Sequence, residues 1–333
     1  MNRTRHLIRL VKIFFSYLKR KEVLGYMPSR LWIETTSRCN LTCGLCINKD
    51  MPSSQKKDMD LTLYKKIIDD AAGSVYDVNL FHRGEPLFHP QIADMISYAA
   101  VRKIRTRLHT NATLLDRKLS HDIILAGLDM ISFSFDGYTR KEYENNRAGA
   151  DYVKTLENIK GFLRTKKELG ANKPLAIIQI IESGSMKNND EGQLQKALFL
   201  KNFENLPLDR IMTRKPHNWG GLLGSSKEGA SGPSGSKRNA CTFPWYTLTI
   251  FFDGKVYPCP QDFMGRIPIG DLKKNSIKEI FNNQKIRELR KIFKSEDLAK
   301  SLPCISCDRI TRETFMGIPK EYINAFMKDN ISE

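Results

Sequence analysis

Leu31-Trp32-Ile33-Glu34-Thr35-Thr36-Ser37-Arg38-Cys39-Asn40-Leu41-Thr42-Cys43-Gly44-Leu45-Cys46 is the stretch from which the rest of the sequence is read. Its first six residues, apolar and β-branched, read as a strand. The loop behind them holds three cysteines separated by three and then two residues. With seven cysteines in 333 residues, chance would give this spacing in only about a few chains per thousand of such length. Packing is a poor explanation for three thiols in one short loop. Soft thiolates converging from a loop suit an iron–sulfur cluster or, with a fourth ligand, zinc. Zinc sites usually recruit a second Cys or His pair, whereas three cysteines leave one iron of a four-iron cluster open.

Outward from this loop, strands and helices alternate. Residues 31–36, 78–81, 107–110, 130–135, 176–181 and 210–213 read as strands, and 61–72, 90–102, 116–126, 152–169 and 191–202 as helices. Six such alternations predict an α/β fold, a partial (β/α)6 TIM-like barrel with a parallel sheet. Chemistry in such barrels sits in the loops after the strands' C-terminal ends, and the three cysteines lie in one.

The run Gly224-Ser225-Ser226-Lys227-Glu228-Gly229-Ala230-Ser231-Gly232-Pro233-Ser234-Gly235 has almost no apolar content and reads as a linker or loop. Beyond it, 246–252, Asp253-Gly254 and 255–257 read as a β-hairpin, followed by helices at 276–283 and 285–293. The expected organisation is a basic N-terminal helix (1–29), the barrel (30–222), a Gly/Ser-rich linker or loop (223–237), a small α+β module (238–311) and a tail (312–333). Four cysteines fall in the second module: Cys241, Cys259, and the pair Cys304-Ile305-Ser306-Cys307. A Cys-x-x-Cys pair with two distant thiols suits four-ligand zinc or a saturated four-iron cluster.

Composition bounds the partners. Lys and Arg number 54 against 37 Asp and Glu, a formal charge of +17, which admits nucleic acid, an anionic membrane or an anionic ligand. No nucleic-acid module and no repeat is found, so no nucleic-acid partner is expected. Residues 3–21 alternate basic side chains with Leu7, Leu10, Val11, Phe14, Phe15 and Leu18 at helical spacing. The helix either packs on the protein's own body or lies on an anionic membrane surface. Arg9 and Lys12 interrupt the apolar run, so no spanning segment is expected, and no secretory signal is read. The expected location is cytoplasmic, with peripheral contact at the inner membrane surface left open. An odd cysteine count in a reducing compartment argues against disulfides.

With these residues in view, the chain resembles the radical S-adenosylmethionine superfamily. The resemblance implies a four-iron cluster on Cys39, Cys43 and Cys46 whose open iron binds S-adenosylmethionine for one-electron cleavage to a 5′-deoxyadenosyl radical. Arg83-Gly84-Glu85-Pro86 after the second strand is similar to the family's glycine–glutamate segment, which holds the methionine amino group; Gly84 would permit close approach and Glu85 would accept a hydrogen bond. Thr110-Asn111, Ser134, Asp136 and Gln179 fall where relatives contact the ribose and carboxylate, and Arg147 is a candidate carboxylate clamp. Leu45 stands where an aromatic residue usually packs adenine. The stretch from Cys241 to Cys307 resembles the SPASM auxiliary-cluster domain in its shorter, one-cluster "twitch" form.

Three plus four uses every cysteine. The resemblance therefore implies two [4Fe-4S] clusters, S-adenosylmethionine, and an electron donor such as flavodoxin or ferredoxin. Its substrate would be a small molecule, a sugar or aminocyclitol alcohol oxidised by a dehydrogenase-type oxidoreductase. A peptide or protein maturase, a sugar epimerase, and a structural metal- or nucleic-acid-binding protein are the competing readings. His217, in His217-Asn218-Trp219-Gly220-Gly221, is a candidate for substrate contact, and Asp262 a candidate proton acceptor between the modules. His82, His89, His109 and Met212 read as packed or solvated residues.

Overall fold

A computed structural model describes residues 3–181, 189–223, 240–295, 303–315, 317–320 and 323–330. Most of the expected linker lies outside these residues. After helix α1 (Arg3–Leu18) the chain alternates through β1 (Arg30–Ile33), α2 (Leu61–Ala71), β2 (Asp77–Asn79), α3 (Ile92–Val101) and β3 (Arg105–Thr110). It continues through α4 (Arg117–Leu125), β4 (Met130–Ser134), α5 (Arg140–Asn146), α6 (Tyr152–Glu168), β5 (Leu175–Ile181), α7 (Asp190–Lys201) and β6 (Arg210–Arg214). Helix α5 is absent from the sequence reading, because its seven residues are nearly all polar and leave no apolar stripe. Its start is fixed instead by a capping box between Thr139 and Glu142. Helices α2, α4, α6 and α7 open on Asp60, Asp116, Asp151 and Asn189, each accepting backbone N–H groups of the first turn.

The strand order is β6-β5-β4-β3-β2-β1, all parallel, and the sheet does not stop at β1. Strand β7 (Thr247–Ile250) pairs parallel to β1 in the register Arg30↔Thr247 to Ile33↔Ile250. Strands β8 (Lys255–Tyr257) and β9 (Gly270–Asp271) then add antiparallel. The second module is therefore an extension of the barrel sheet, not a separately cored unit. Gly254, at φ +88°, makes the β7–β8 turn that a side chain would strain. Helices α8 (Ile277–Ile280) and α9 (Gln284–Ser295), a two-stranded β10–β11 pair (Thr314–Phe315, Ile318–Pro319) and α10 (Ile323–Asn330) complete the chain.

One face of the sheet is apolar and covered by helices: Leu31, Ile33, Val78, Leu108, Ile131, Phe133, Ile178 and Ile180 are fully buried. By register the opposite face carries Arg30, Trp32, Asp77, Asn79, Arg107, His109, Ser134, Gln179, Met212 and Arg214. Parallel strands are ordinarily apolar on both faces, so this polar face marks the lumen of the barrel.

Helix α1 crosses the N-terminal ends of the first strands. His6 stacks on Tyr76 with ring centroids 3.5 Å apart, Arg9 donates to the Met27 and Ser74 carbonyls, and the Tyr17 hydroxyl donates to Ala240 O at 2.8 Å. The other side of the helix stays open: Ile8, Val11, Phe15 and Leu18 are 50–54% exposed. Among the described residues no helix is long and apolar enough to cross a membrane.

Candidate active site

The loop after β1 is built by its neighbours. Asn48 Nδ2 donates to Ser37 O at 2.7 Å and Arg83 O at 2.8 Å, and Thr42 N donates to Ala148 O at 3.0 Å. Arg83 forks onto Glu34 at 2.5 and 2.7 Å, a pair 6% and 0% exposed, with its guanidinium 3.7 Å over the Phe251 ring. This buried pair joins the end of β1, the loop after β2 and the end of β7.

Gly84 does permit a close approach, but of the protein's own backbone. A side chain there would collide with Thr36 O, Arg38 O at 2.5 Å and Ser37 C at 2.8 Å, the segment running into Cys39. Glu85 N donates to Arg38 O at 2.8 Å in the same contact. The Glu85 carboxylate is already engaged: Oε1 accepts from the Thr110 hydroxyl (2.6 Å) and Leu87 N (3.1 Å), and Oε2 from Asn111 N (2.7 Å). Burial raises its pKa, and these bonds oppose the rise. One acceptor position on Oε2 stays available for a donor such as an ammonium group. Pro86 opens a single buried 3-10 turn, Pro86–Phe88, that keeps this geometry.

Other expected cofactor contacts are held by the protein itself. Asp136 accepts from Ile181 N at 2.7 Å through Oδ1, and Oδ2 pairs with Arg147 at 2.6 Å, so these two side chains satisfy each other. Asn111 spans the Cys39 loop and its own turn, donating to Asn40 Oδ1 at 3.0 Å and accepting from Thr113. Ser134 and Gln179 are register partners on the lumen face. Leu45 is 41% exposed, and its carbonyl accepts from the Trp219 indole at 3.1 Å. Trp219, in the His217–Gly221 segment read from the sequence as a substrate contact, brings a large aromatic side chain from the loop after β6 against the cysteine loop. Its ring also meets His217 at 5.3 Å and Phe263 at 5.0 Å. Burial lowers the His217 pKa to about 4, so it is a neutral, packed imidazole near neutral pH.

Asp262, the expected proton acceptor, lies in the loop after Cys259. It is fully buried, and its carboxylate accepts from Arg266 N (2.8 Å) and Ile267 N (2.7 Å), bracing the loop after Cys259. Each oxygen accepts one backbone N–H, which fixes the orientation of the carboxylate.

The seven thiols form two groups. Burial pushes Cys39 up to about 12, with Glu85, Cys46 and Cys43 nearby adding to the rise, and burial also raises Cys46. In the second module Cys241, Cys259, Cys304 and Cys307 line one cavity with Phe243, Phe293 and Arg309. Burial raises Cys241, Cys259 and Cys307, the last to about 12, and the neighbouring thiols raise Cys259 and Cys307 further. Such a set ionises only around a cationic centre, and four sulfur donors select a soft one. Among the described residues no three His, Cys, Asp or Glu side chains converge at the spacing of a single bound ion; the sulfurs stand as grouped donors around a space. The residues fit a cluster held by Cys39, Cys43 and Cys46 and a second held by the four thiols. Arg309, missed from the sequence, hydrogen-bonds Cys241 through its side chain and lies 4.0 Å over Phe243.

The two groups are tied through 216–221. Asn218 Nδ2 donates to Ser306 O at 2.7 Å, Arg266 donates to Gly220 O at 2.7 Å, and Arg312 donates to Pro216 O at 2.8 Å, while Trp219 reaches Leu45.

Comparison with known proteins agrees with this site. The profile of the Radical SAM superfamily matches residues 33–168, and that of SPASM, an iron-sulfur cluster-binding domain, matches residues 241–308. A tungsten-containing aldehyde ferredoxin oxidoreductase cofactor-modifying protein of Pyrococcus furiosus is 29% identical over 154 residues, 45% of this chain and 43% of that protein. The chain thus spans less than half the length of that relative. An S-adenosyl-L-methionine-dependent 2-deoxy-scyllo-inosamine dehydrogenase of Niallia circulans is 24% identical over 295 residues, 86% of this chain and 95% of that protein. The solved structure of BtrN in complex with AdoMet and 2-DOIA covers 90% of this chain and 99% of its own at 18% identity and a TM-score of 0.58, a likeness of fold. The chain belongs to the radical S-adenosylmethionine superfamily and carries a SPASM-type iron–sulfur cluster-binding domain.

Proposed function

We propose that this chain is a radical S-adenosylmethionine dehydrogenase that oxidises a hydroxyl-bearing carbon of a small molecule, a sugar or aminocyclitol alcohol, to a carbonyl. The observation that carries the reading is the division of all seven cysteines into a three-thiol loop and a four-thiol cavity. When bound, the two [4Fe-4S] clusters and S-adenosylmethionine supply a hydrogen-abstracting 5′-deoxyadenosyl radical and an electron acceptor. The Niallia circulans relative, matched over 95% of its length, is a dehydrogenase of an inosamine, which supports this reaction type.

The chain's own groups hold and orient. The open acceptor position on Glu85 suits the methionine ammonium, and the Leu45–Trp219 contact gives an apolar surface beside the third cysteine. No cysteine is left outside the two groups to return a hydrogen atom to a substrate carbon, which favours oxidation over epimerisation. The reaction takes one hydrogen atom to 5′-deoxyadenosine, one electron to the auxiliary site and the hydroxyl proton to solvent or a base.

We place the chain in the cytoplasm, with flavodoxin or ferredoxin as electron donor, and assign the open face of α1 to peripheral contact with anionic lipid. With substrate deuterated at the reacting carbon, oxidation puts the label into 5′-deoxyadenosine and gives a product two mass units lighter than unlabelled substrate. A product of unchanged mass carrying a solvent hydrogen would replace the dehydrogenase with an epimerase.

A further inference from the structure

Side chains on the lumen face stack in rows set by the pairing register. Thr249, Trp32, Asn79 and Arg107 are successive partners across β7, β1, β2 and β3. Three buried polar atoms in this one row have no hydrogen-bond partner: Thr249 Oγ1, Trp32 Nε1 and Asn79 Nδ2. Thr249 is 0% and Asn79 2% exposed. Buried polar groups are nearly always paired, and an unpaired one is costly to the fold. Three aligned on neighbouring strands therefore call for a common partner.

A second observation lies beside them. A small pocket at the N-terminal ends of β2–β5, lined by Tyr76, Asp77, Arg105, Arg107, Asp129, Met130 and Leu175, adjoins the row through Arg107, the partner of Asn79. Above the row, Trp32 meets Phe81 at 5.1 Å and Phe81 meets His109 at 4.2 Å, an aromatic wall. Trp32 stands one residue before the end of β1, the strand that runs on into the Cys39 loop.

We propose that Thr249, Trp32 and Asn79 form the substrate-recognition floor of the lumen, reading acceptor oxygens of a small molecule: hydroxyl, carboxylate or phosphate. The chemistry selects this class. An indole N–H and an amide N–H only donate, and a threonine hydroxyl donates as readily as it accepts. Two of the three groups can only donate, so the row favours acceptor oxygens over an ammonium group, which only donates. The substrate's oxygen-rich end lies here. This assignment rests on the dehydrogenase reading for the word substrate, while its test does not use that chemistry.

The test compares two threonines of one strand in the full, reconstituted protein. Thr249→Val removes an unpaired hydroxyl and should raise the urea midpoint of the substrate-free protein. Thr247→Val removes a hydroxyl that donates to Arg30 O at 2.9 Å and should lower it. Asn79→Leu should follow Thr249→Val. Thermal shifts with millimolar myo-inositol and with inorganic phosphate then separate polyol from anion recognition, and the shift should vanish in Thr249→Val. A midpoint that falls in Thr249→Val, as it would if structural water satisfied the hydroxyl, or that does not move, overturns the proposal. Failure of deuterium transfer with a stability gain intact would remove the dehydrogenase reading and leave the binding floor.

Discussion

Replacing Gly84 with Ala tests how the cysteine loop is seated. The added Cβ would lie 2.5 Å from Arg38 O and 2.8 Å from Ser37 C, against an ordinary contact that begins at 3.4 Å. Backbone presses from that side, and no flexible side chain can give way. The segment 36–38 must retreat by roughly 1 Å, which breaks the 2.8 Å bond from Glu85 N to Arg38 O. Overpacking of this kind costs about 1–3 kcal/mol, and the lost buried hydrogen bond adds about 1 kcal/mol. We expect a total near 3 kcal/mol, visible as a lower urea midpoint with unchanged slope. Because Arg38 precedes Cys39, iron bound at the first site should also fall while the second site keeps its iron. Gly161→Ala is the control: nothing lies within 4 Å of its Cβ in the middle of α6, so it should stabilise by about 0.5–1 kcal/mol. A Gly84→Ala protein with wild-type midpoint and full iron would refute the account of a backbone seat.

Three further outcomes follow from the same structure. Arg309→Met removes a cationic donor from Cys241 and should make the auxiliary cluster harder to reduce, seen in an EPR-monitored titration as a more negative potential for that cluster only. Burial brings His82 down to about 3, with Nε2 paired to Pro260 O at 2.8 Å. The unfolded chain then binds a proton that the folded one refuses, so stability should fall by up to about 1.4 kcal/mol per unit as pH drops from 6.5 toward 4. His217, also held below its ordinary value, keeps part of this slope, so His82→Gln should make the fall of urea midpoints across that window shallower, and an equally steep profile would sink the idea. Finally, changing Val11 and Phe15 to Ser should abolish salt-sensitive sedimentation with phosphatidylserine vesicles; undiminished binding would reassign that exposed stripe.

Much of this architecture was legible because parallel strands, crossover helices and thiol spacing leave strong periodic traces. The six strands and the two cysteine groups are of that kind. Helix α5 was not, since its seven polar residues owe their helicity to one capping box. Asp262 read as a proton acceptor and Asp136 as a cofactor contact; only three-dimensional neighbours show the backbone amides and the arginine that bind them. The union of β7 with β1 was equally hidden, because strand pairing across more than 200 residues has no local signature. One signal was present but unused. Arg105, Arg107 and His109 fall at every second position of one parallel strand, and that period-two run of basic side chains by itself announces a polar lumen.

The parallel ladder between β1 and β7 has a mechanical meaning. One cysteine loop leaves β1, and Cys259 stands two residues past β8, the hairpin mate of β7. The gap an electron must tunnel across is therefore spanned by rungs of interstrand hydrogen bonds, a stiff ruler in place of a hinge.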